Sequence, residues 1–274
     1  MKNRKRILLI IILFSCSKLW ASYILLPMDD KQNNHLKAYG IAYYSLQNNI
    51  KVSWLLNYRG GSFLIKEYSQ ITNECSIRGV NFEIISDLQS TEILNSIALP
   101  EINQDIVSLN KAPKVAIYSP KNKQPWDDAV TLALKYAEIP YEVVYDQEVL
   151  AGLLPLYDWL HLHHEDFTGQ YGKFYVSFKN ATWYKEQKKL YEKLAKDAGF
   201  SKVSEHKLAV AKKIKEFTAG GGFLFAMCSA TDSYDIALAA EGVDICAHMF
   251  DGDPADPNAQ KKINYDNTFA FKDF

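Results

Sequence analysis

The chain lacks an excess of charge of either sign. Its 31 Lys and Arg residues are balanced by 32 Asp and Glu residues, so the net charge over 274 residues is −1 at neutral pH. Proteins that bind nucleic acids carry basic surfaces, because the phosphate backbone is polyanionic. The composition therefore predicts a packed globular protein of one large or two modest domains, with no nucleic-acid partner.

A long hydrophobic run is also missing. The run over residues 7–14 follows a basic head and precedes small residues, and it is much shorter than the roughly 20 residues of a permanent membrane helix. This pattern is typical of a secretory signal. We predict a signal peptide over residues 1–21 with cleavage near Ala21 or Ser22, a periplasmic or otherwise extracytoplasmic location, and no permanent membrane span. Lipid attachment at Cys16 and an uncleaved anchor are the alternatives.

Cysteines are few, and their spacing does not suggest disulfides. Apart from Cys16, the chain contains Cys75, Cys228 and Cys246. An odd number without paired spacing argues against a disulfide framework. We therefore expect at least one thiol in the folded protein.

Apolar β-rich runs alternate with helical patterns along the whole chain. Such alternation indicates βαβ units around a parallel sheet. We predict an α/β fold in which a doubly wound parallel sheet over residues 111–274 is preceded by a smaller βαβ region over residues 22–110, with residues 99–113 as a linker. The predicted strands cover residues 23–28, 52–56, 80–86, 114–119, 141–145, 157–163 and 223–227. The predicted helices cover residues 33–47, 68–78, 91–98, 126–137, 147–153, 181–198, 204–219 and 231–240.

Two features of the second region complete this outline. The helices over residues 181–198 and 204–219 are rich in Lys and Glu, which predicts that they lie on the outside. Residues 267–274 have a strand-like aromatic rhythm and stop without polar closure. We interpret this ending as that of a truncated chain.

The clearest local signal for chemistry surrounds Cys228. The apolar strand over residues 223–227 runs into this cysteine, and a helix follows directly. A nucleophile elbow has this order and needs small residues two positions to either side, which Ala226 and Ala230 provide. Backbone N–H groups near Ser229, at the start of the helix, can stabilise a thiolate and an oxyanion. We predict that Cys228 is a catalytic nucleophile; the alternative is a buried structural cysteine.

A second concentration of reactive side chains consists of His161, His163, His164 and Glu165. These residues follow an apolar strand, and ligands of open parallel sheets bind beyond the carboxyl ends of the strands. We therefore expect them at the same sheet edge as Cys228. Three interpretations stay open. The first is a Cys–His pair in which His163 or His164 is the base and Glu165 orients it. The second is zinc or another divalent metal bound by His161, His163 and Glu165. The third is a set of structural histidines. We predict no other cofactor.

Two loops carry weaker patterns. An acidic loop could bind a hard cation through carboxylate oxygens or could be a solvated turn. The turn over residues 59–62 could present backbone N–H groups to an anion or could simply be tight. The acidic loop contains Asp244, Asp251, Asp253 and Asp256.

The order of elements over residues 114–240, which ends in strand–Cys228–helix, resembles the class I glutamine amidotransferase-like fold, a flavodoxin-like arrangement. Members of that family carry glycine where this chain has alanine on either side of the nucleophile. The resemblance also implies a His-x-Glu pair near the end of the domain. Only the sequence Cys-Ala-His at residues 246–248 lies downstream here, so these partners lie beyond Phe274 or the amidotransferase chemistry is absent.

A closer resemblance covers nearly all of the chain after the signal. Its distinctive blocks resemble a family of exported bacterial proteins commonly labelled asparagine synthetase B, whose members are longer. That label implies glutamine hydrolysis coupled to asparagine synthesis. The chain lacks the Ser-Gly-Gly-x-Asp-Ser loop that binds ATP in that reaction, and Lys2 rather than cysteine follows Met1. The blocks are residues 57–63, 157–174, 227–233 and 250–254.

The residues and the resemblances together predict a cell-envelope enzyme of amidotransferase-like type. We expect an amide or ester hydrolase, or a related acyl-transfer enzyme, with Cys228 as nucleophile. Its ligand would be a small molecule, a peptide or a glycan. The alternative is a non-catalytic ligand- or metal-binding protein on the same fold.

Overall fold

The computed structural model describes residues 22–121, 129–170 and 172–274. The chain divides into two compact units. The first contains the residues up to Ala112 together with Tyr136–Ile139, and the second contains Pro113–Lys135 and Pro140–Phe274. The predicted signal peptide over residues 1–21 lies outside the described residues. Among the helices that are described, none has the length and apolar character needed to cross a membrane.

The first unit is built on a five-stranded sheet. Its strands are β1 (Ser22–Leu26), β2 (Val52–Leu56), β3 (Phe63–Lys66), β4 (Glu83–Ser86) and β5 (Asp105–Leu109). They lie in the order β4-β1-β3-β2-β5, and each neighbouring pair runs antiparallel. The predicted βαβ region around a parallel sheet is therefore wrong for this part of the chain.

A tight turn explains why β2 and β3 are antiparallel. The 3-10 turn Tyr58–Gly60 joins the two strands, and a connection this short can only return the chain alongside itself, since parallel strands need a long crossover. Four residues of the connection have positive φ, with values of 60° at Asn57, 46° at Arg59, 80° at Gly60 and 94° at Gly61. At Gly60 a Cβ atom would lie 2.3 Å from the carbonyl oxygen of Met28, so only glycine fits there.

Strand β5 falls inside the predicted linker over residues 99–113, and that prediction is wrong too. The strand pairs with β2 from Asp105 to Leu109 at the edge of the sheet. Most of its side chains are exposed or half-buried. An exposed edge strand does not need the continuous apolar pattern of a buried one.

Helices cover both faces of the first sheet. On one face, α1 (His35–Gln47) and α2 (Ser69–Arg78) pack on β-strand side chains, and on the other face α3 (Asp87–Ile97) does so. The side chain of Asn34 accepts the Lys37 N–H and caps α1. The first core contains Ile24, Leu26, Ala38, Ile41, Ala42, Leu46, Val52, Phe63, Ile65, Ile71 and Cys75, and the second contains Leu25, Leu55, Leu64, Ile85 and Ile97.

The second unit contains a four-stranded sheet. Its strands are β6 (Val115–Tyr118), β7 (Tyr141–Val144), β8 (Trp159–Leu162) and β9 (Phe223–Ala226). They lie in the order β7-β6-β8-β9, and all neighbouring strands are parallel, so the predicted α/β character with a parallel sheet is confirmed for this region. Strand β6 is buried along its whole length, as expected for a continuous apolar run in a parallel sheet.

One face of this sheet packs against the helices on either side of β9 in the chain. Ala116 and Leu160 from the sheet share a core with Ile214 of α8 (Val203–Ala219) and Tyr234 of α9 (Ser229–Ala239). The apolar side of α8 is buried, so the prediction that this Lys-rich helix lies on the outside holds only for its polar side. The helices are α4 (Ala129–Ala137), α5 (Asp146–Leu150), α6 (Gly172–Phe178), α7 (Thr182–Asp197), α8 (Val203–Ala219), α9 (Ser229–Ala239), α10 (His248–Asp251) and α11 (Ala259–Lys262).

The end of the chain is bound to α9 rather than arranged as a strand. Within residues 267–274, all of which the structure describes, no strand forms. The buried carboxylate of Asp235 instead accepts the backbone N–H groups of Phe269, Ala270 and Phe271 at 2.9, 2.8 and 2.9 Å. The aromatic rhythm that suggested a strand therefore belongs to a segment bound by a carboxylate.

Candidate functional site

Cys228 lies at the turn between β9 and α9. Its backbone has φ 52° and ψ −138°, and the helix begins at the next residue. A positive φ is uncommon for a residue with a side chain, and such conformations concentrate at functional turns. The side chain of Cys228 is exposed. This is the strand–turn–helix arrangement that the sequence predicted, with the cysteine at its most constrained position.

The other two described cysteines differ from Cys228. Cys75 and Cys246 are 0% and 1% exposed, respectively, and lie in hydrophobic clusters. Burial raises the pKa of each thiol to about 12. The interpretation as a structural cysteine therefore fits Cys75 and Cys246, whereas the exposure of Cys228 argues against it there.

Small residues allow the turn to form. Ala226 precedes Cys228 by two positions and packs partly buried against the core, and Ala230 follows it by two positions and is fully buried. The Ala230 N–H donates to the carbonyl oxygen of His163 at 3.2 Å, and the Thr231 N–H donates to the carbonyl oxygen of Cys228 at 3.2 Å. The first turn of α9 is thus bonded partly to the histidine segment and partly to the elbow itself.

His161 belongs to the packing of the sheet. It is fully buried on β8 opposite Phe225 of β9. Its Nδ1 lies 3.1 Å from the carbonyl oxygen of Phe225, which assigns the proton to Nδ1 because a carbonyl can only accept. The imidazole also stacks on the Phe225 ring at 5.6 Å between centroids. These contacts favour a structural role for His161.

His163, His164 and Glu165 form the loop that follows β8. The rings of His163 and His164 stack at 3.6 Å between centroids with an interplanar angle of 25°. The His163 N–H donates to Oε2 of Glu165 at 3.2 Å. His163 and Glu165 are 9% and 8% exposed, whereas His164 is half-buried. Glu165 therefore binds the backbone of the loop in which both candidate bases lie.

Two serines of α9 bind this loop to the elbow. The Ser229 hydroxyl donates to the carbonyl oxygen of His164 at 2.9 Å. One helical turn later, the Ser233 hydroxyl donates to the carbonyl oxygen of Glu165 at 3.0 Å and accepts the Phe167 N–H at 3.4 Å. The elbow and the histidine loop are therefore neighbours at the carboxyl edge of the sheet. Ser233 was not among the residues predicted from the sequence, although its spacing of four from Ser229 places both serines on one side of the helix.

The two candidate metal sites differ in whether their side chains come together. Among the residues that the structure describes, the His, Cys, Asp and Glu side chains that converge as a possible metal-binding group are Asp244, Asp251 and Asp253. The predicted set of His161, His163 and Glu165 does not converge in this way. The ammonium of Lys202 lies 2.6, 3.3 and 2.7 Å from the three aspartates in that order.

Lys202 therefore supplies positive charge at the place where the acidic loop could have bound a hard cation. Its hydrogen bonds to Asp244 and Asp253 raise the pKa of Lys202, and its hydrogen bond lowers the pKa of Asp253. Asp256 instead pairs with Lys262. Two lysines of the chain thus offset part of the negative charge of the four aspartates.

The turn predicted as a possible anion site is also bonded internally. Its Gly61 and Ser62 N–H groups both donate to the carbonyl oxygen of Tyr58 at 3.0 Å. The Arg59 guanidinium donates to the carboxylates of Asp29 and Glu83 at 2.7 and 3.0 Å. The tight-turn interpretation fits these contacts.

A buried ionic cluster lies in the second unit and was not predicted from the sequence. The Lys207 ammonium lies within 3.0 Å of Asp146, Tyr118 and Tyr145. Tyr118 is the last residue of β6, and Asp146 follows the end of β7. Lys207 falls on the stripe of α8 that contains Val210 and, one turn further, Ile214. That spacing is the signal that could have identified it as a buried lysine.

Comparison with known proteins finds no matching family model, no matching curated protein and no matching solved structure.

Proposed function

We propose that this chain is a cysteine-dependent hydrolase or acyl-transfer enzyme that acts on amides or esters. The observation that carries the proposal is the backbone of Cys228, which holds an exposed thiol at positive φ where a parallel strand ends and a helix begins. A nucleophile elbow uses this arrangement to expose a reactive side chain. The start of α9 adds the positive end of a helix dipole beside the thiol.

The first chemical step would join the Cys228 Sγ to the carbonyl carbon of the substrate. The thiol proton passes to an imidazole, and the carbonyl electron pair moves onto oxygen to give a tetrahedral oxyanion. The backbone N–H of Ser229 would stabilise that oxyanion, because those of Ala230 and Thr231 already donate to carbonyl oxygens. Collapse breaks the bond to the amine or alcohol, which leaves with the proton. Water then hydrolyses the thioester, or a second nucleophile accepts the acyl group.

The base would be His163 or His164. Both belong to the loop that α9 holds against the elbow through Ser229 and Ala230. His164 is the more exposed of the two, which suits a group that exchanges protons with solvent. Glu165 would orient this pair through its bond to the His163 amide.

The fold and location are part of the proposal. The parallel sheet with a cysteine after β9 supports an amidotransferase-like architecture, and the basic head with its apolar run supports export to the cell envelope. The carboxyl edge would then accept a small molecule, peptide or glycan with an amide or ester bond. Glutamine is the first substrate to test, because the resemblance to amidotransferases implies its hydrolysis.

The test combines labelling and catalysis on the full chain. Iodoacetamide near neutral pH should modify Cys228 much faster than Cys75 or Cys246, as measured by peptide mass spectrometry. Hydrolysis of p-nitrophenyl acetate, or ammonia release from glutamine, should disappear in Cys228→Ala and after alkylation. Cys75→Ala is the matched control, because it removes a buried thiol from the first unit, and its activity should persist in folded protein.

Substitution of the histidines assigns the base. His164→Gln and His163→Gln should be compared for turnover and for the dependence of labelling on pH. The base is the residue whose loss lowers turnover by about 10²–10⁴-fold. If Cys228→Ala keeps full activity towards both probes, or if Cys228 is labelled only upon unfolding, the enzymatic proposal is wrong and a non-catalytic binding protein takes its place.

A further inference from the structure

Ser233 bridges the elbow helix and the histidine loop. Its side chain is 7% exposed and lies on α9, five residues after Cys228. The hydroxyl donates to the Glu165 carbonyl and accepts the Phe167 N–H. It therefore binds the backbone on both sides of the loop segment that follows His163 and His164.

The two serines bind the carbonyl groups of consecutive residues of the loop. Ser229 binds the carbonyl of His164, and Ser233 binds the carbonyl of the next residue, Glu165. The hydroxyls belong to successive turns of the same helix, so the loop runs along α9. Because Cys228 precedes this helix directly, any rotation of the loop away from α9 changes the position of both imidazoles relative to the thiol.

We propose that Ser233 is a positioning residue of the Cys228 site, which holds the histidine loop against the elbow helix so that the base and the nucleophile stay aligned. This inference rests on the proposed function. Ser233 touches neither the substrate nor the reacting atoms in this scheme. Its contribution is geometric, and small misplacements of catalytic groups lower turnover strongly.

Ser233→Ala removes the hydroxyl and leaves the helix residue otherwise similar. Turnover of p-nitrophenyl acetate should fall about tenfold with little change in KM, since alignment rather than binding is lost. The labelling rate of Cys228 should also move to higher pH, because a displaced imidazole stabilises the thiolate less well. Ser233→Thr keeps the hydroxyl and should restore both readouts.

The matched control is Ser45→Ala. Ser45 is a fully buried serine on α1 in the first unit, and its hydroxyl bonds to the Ile41 carbonyl of its own helix. This variant should leave turnover and the pH dependence of labelling unchanged. Should Ser233→Ala fail to fold in a thermal melt, Ser229→Ala carries the same test, since it removes the neighbouring hydroxyl contact to His164.

The outcomes separate the inference from the proposed function. A folded Ser233→Ala with wild-type turnover and an unshifted labelling profile overturns the positioning role while Cys228 remains the nucleophile. If wild-type Cys228 itself labels no faster than Cys75 or Cys246, the proposed function fails and the positioning role fails with it. A shift in Ser233→Ala that Ser233→Thr reverses supports both.

Discussion

The ammonium of Lys207 lies 2.9 Å from each carboxylate oxygen of Asp146, and both residues are buried, at 1% and 0% exposure. The same ammonium contacts the phenol oxygens of Tyr118 and Tyr145 at 2.9 and 3.0 Å. Tyr118 in turn donates to Asp146. A buried charge needs this many partners, because desolvation of an ion is costly unless hydrogen bonds replace water.

Loss of the lysine should therefore destabilise the second unit strongly. Lys207→Met leaves the Asp146 carboxylate buried without its counter-charge, which should lower the free energy of unfolding by about 3–5 kcal/mol. Denaturant titration measures this change. Lys213→Met, on an exposed part of the same helix, should change it by less than about 1 kcal/mol. Equal small effects of both substitutions would mean that the buried pair contributes little.

The tyrosines of this cluster predict a loss of stability at alkaline pH. Burial, together with nearby acidic and phenolic groups, raises the pKa of Tyr118 and that of Tyr145 well above the ordinary value of a tyrosine. Because the folded-state pKa exceeds the unfolded one, their contribution is complete below about pH 10 and is lost as the pH rises further. The free energy of unfolding should fall by up to about 1.4 kcal/mol per pH unit for each such tyrosine.

Denaturation at a series of alkaline pH values tests this dependence. Tyr145→Phe removes one titrating phenol and should make the decline less steep. Tyr68→Phe, which changes an exposed tyrosine of the first unit, serves as the comparison and should leave the slope unaltered. A stability that stays constant up to strongly alkaline pH would contradict the prediction.

Removal of Lys202 should convert the acidic loop into a cation site. Lys202→Met leaves Asp244, Asp251 and Asp253 close together without the ammonium between them. Millimolar Ca²⁺ should then raise the melting temperature of the variant more than that of the wild type, since a ligand of the folded state stabilises it. Lys262→Met, which frees only Asp256, should show no added response.

The stabilisation by the Lys202 ion cluster should be lost at acid pH. Lys202 lowers the pKa of Asp253 below its ordinary value, so this contribution is present above about pH 4 and is lost as the pH falls through the folded-state pKa. The difference in melting temperature between wild type and Lys202→Met should therefore shrink in acid. A difference that grows in acid would show that another group is responsible.

The predicted signal can be tested on protein made in bacteria. Mature protein from the periplasm or medium should begin near Ser22, as determined by N-terminal sequencing. Replacement of the basic residues Lys2, Arg4, Lys5 and Arg6 by Gln should slow export, because the positive head is one of the three features of a signal. Wild-type protein that accumulates in the cytoplasm and retains Met1 would contradict export.

Sequence patterns predicted the parallel sheet most clearly at its two central strands, β6 and β8, which are buried on both faces. Strand β6 is a continuous apolar run, and the change from an apolar strand to Cys228 and a helix marks the elbow. Strand β5 is exposed or half-buried along its length. It therefore lacks the apolar pattern that would have indicated an edge strand of the antiparallel sheet.

The residues of the candidate site could be predicted from the sequence, but only some of their contacts could. The sequence placed Cys228 and His161–Glu165 at strand ends, because their runs adjoin apolar strands. It could not show that His161 is buried beside Phe225 or that Ser233 binds the Glu165 carbonyl. These contacts depend on how two strands and a helix pack, and no local pattern encodes that packing.

The positive φ of Cys228 also bears on how this protein could change over evolutionary time. A conformation of φ 52° and ψ −138° is one that glycine adopts without strain, whereas a side chain there carries a penalty of about 1–3 kcal/mol. Selection for stability alone would therefore favour glycine at this position. A lineage that does not need the thiol would gain stability by replacing Cys228 with glycine.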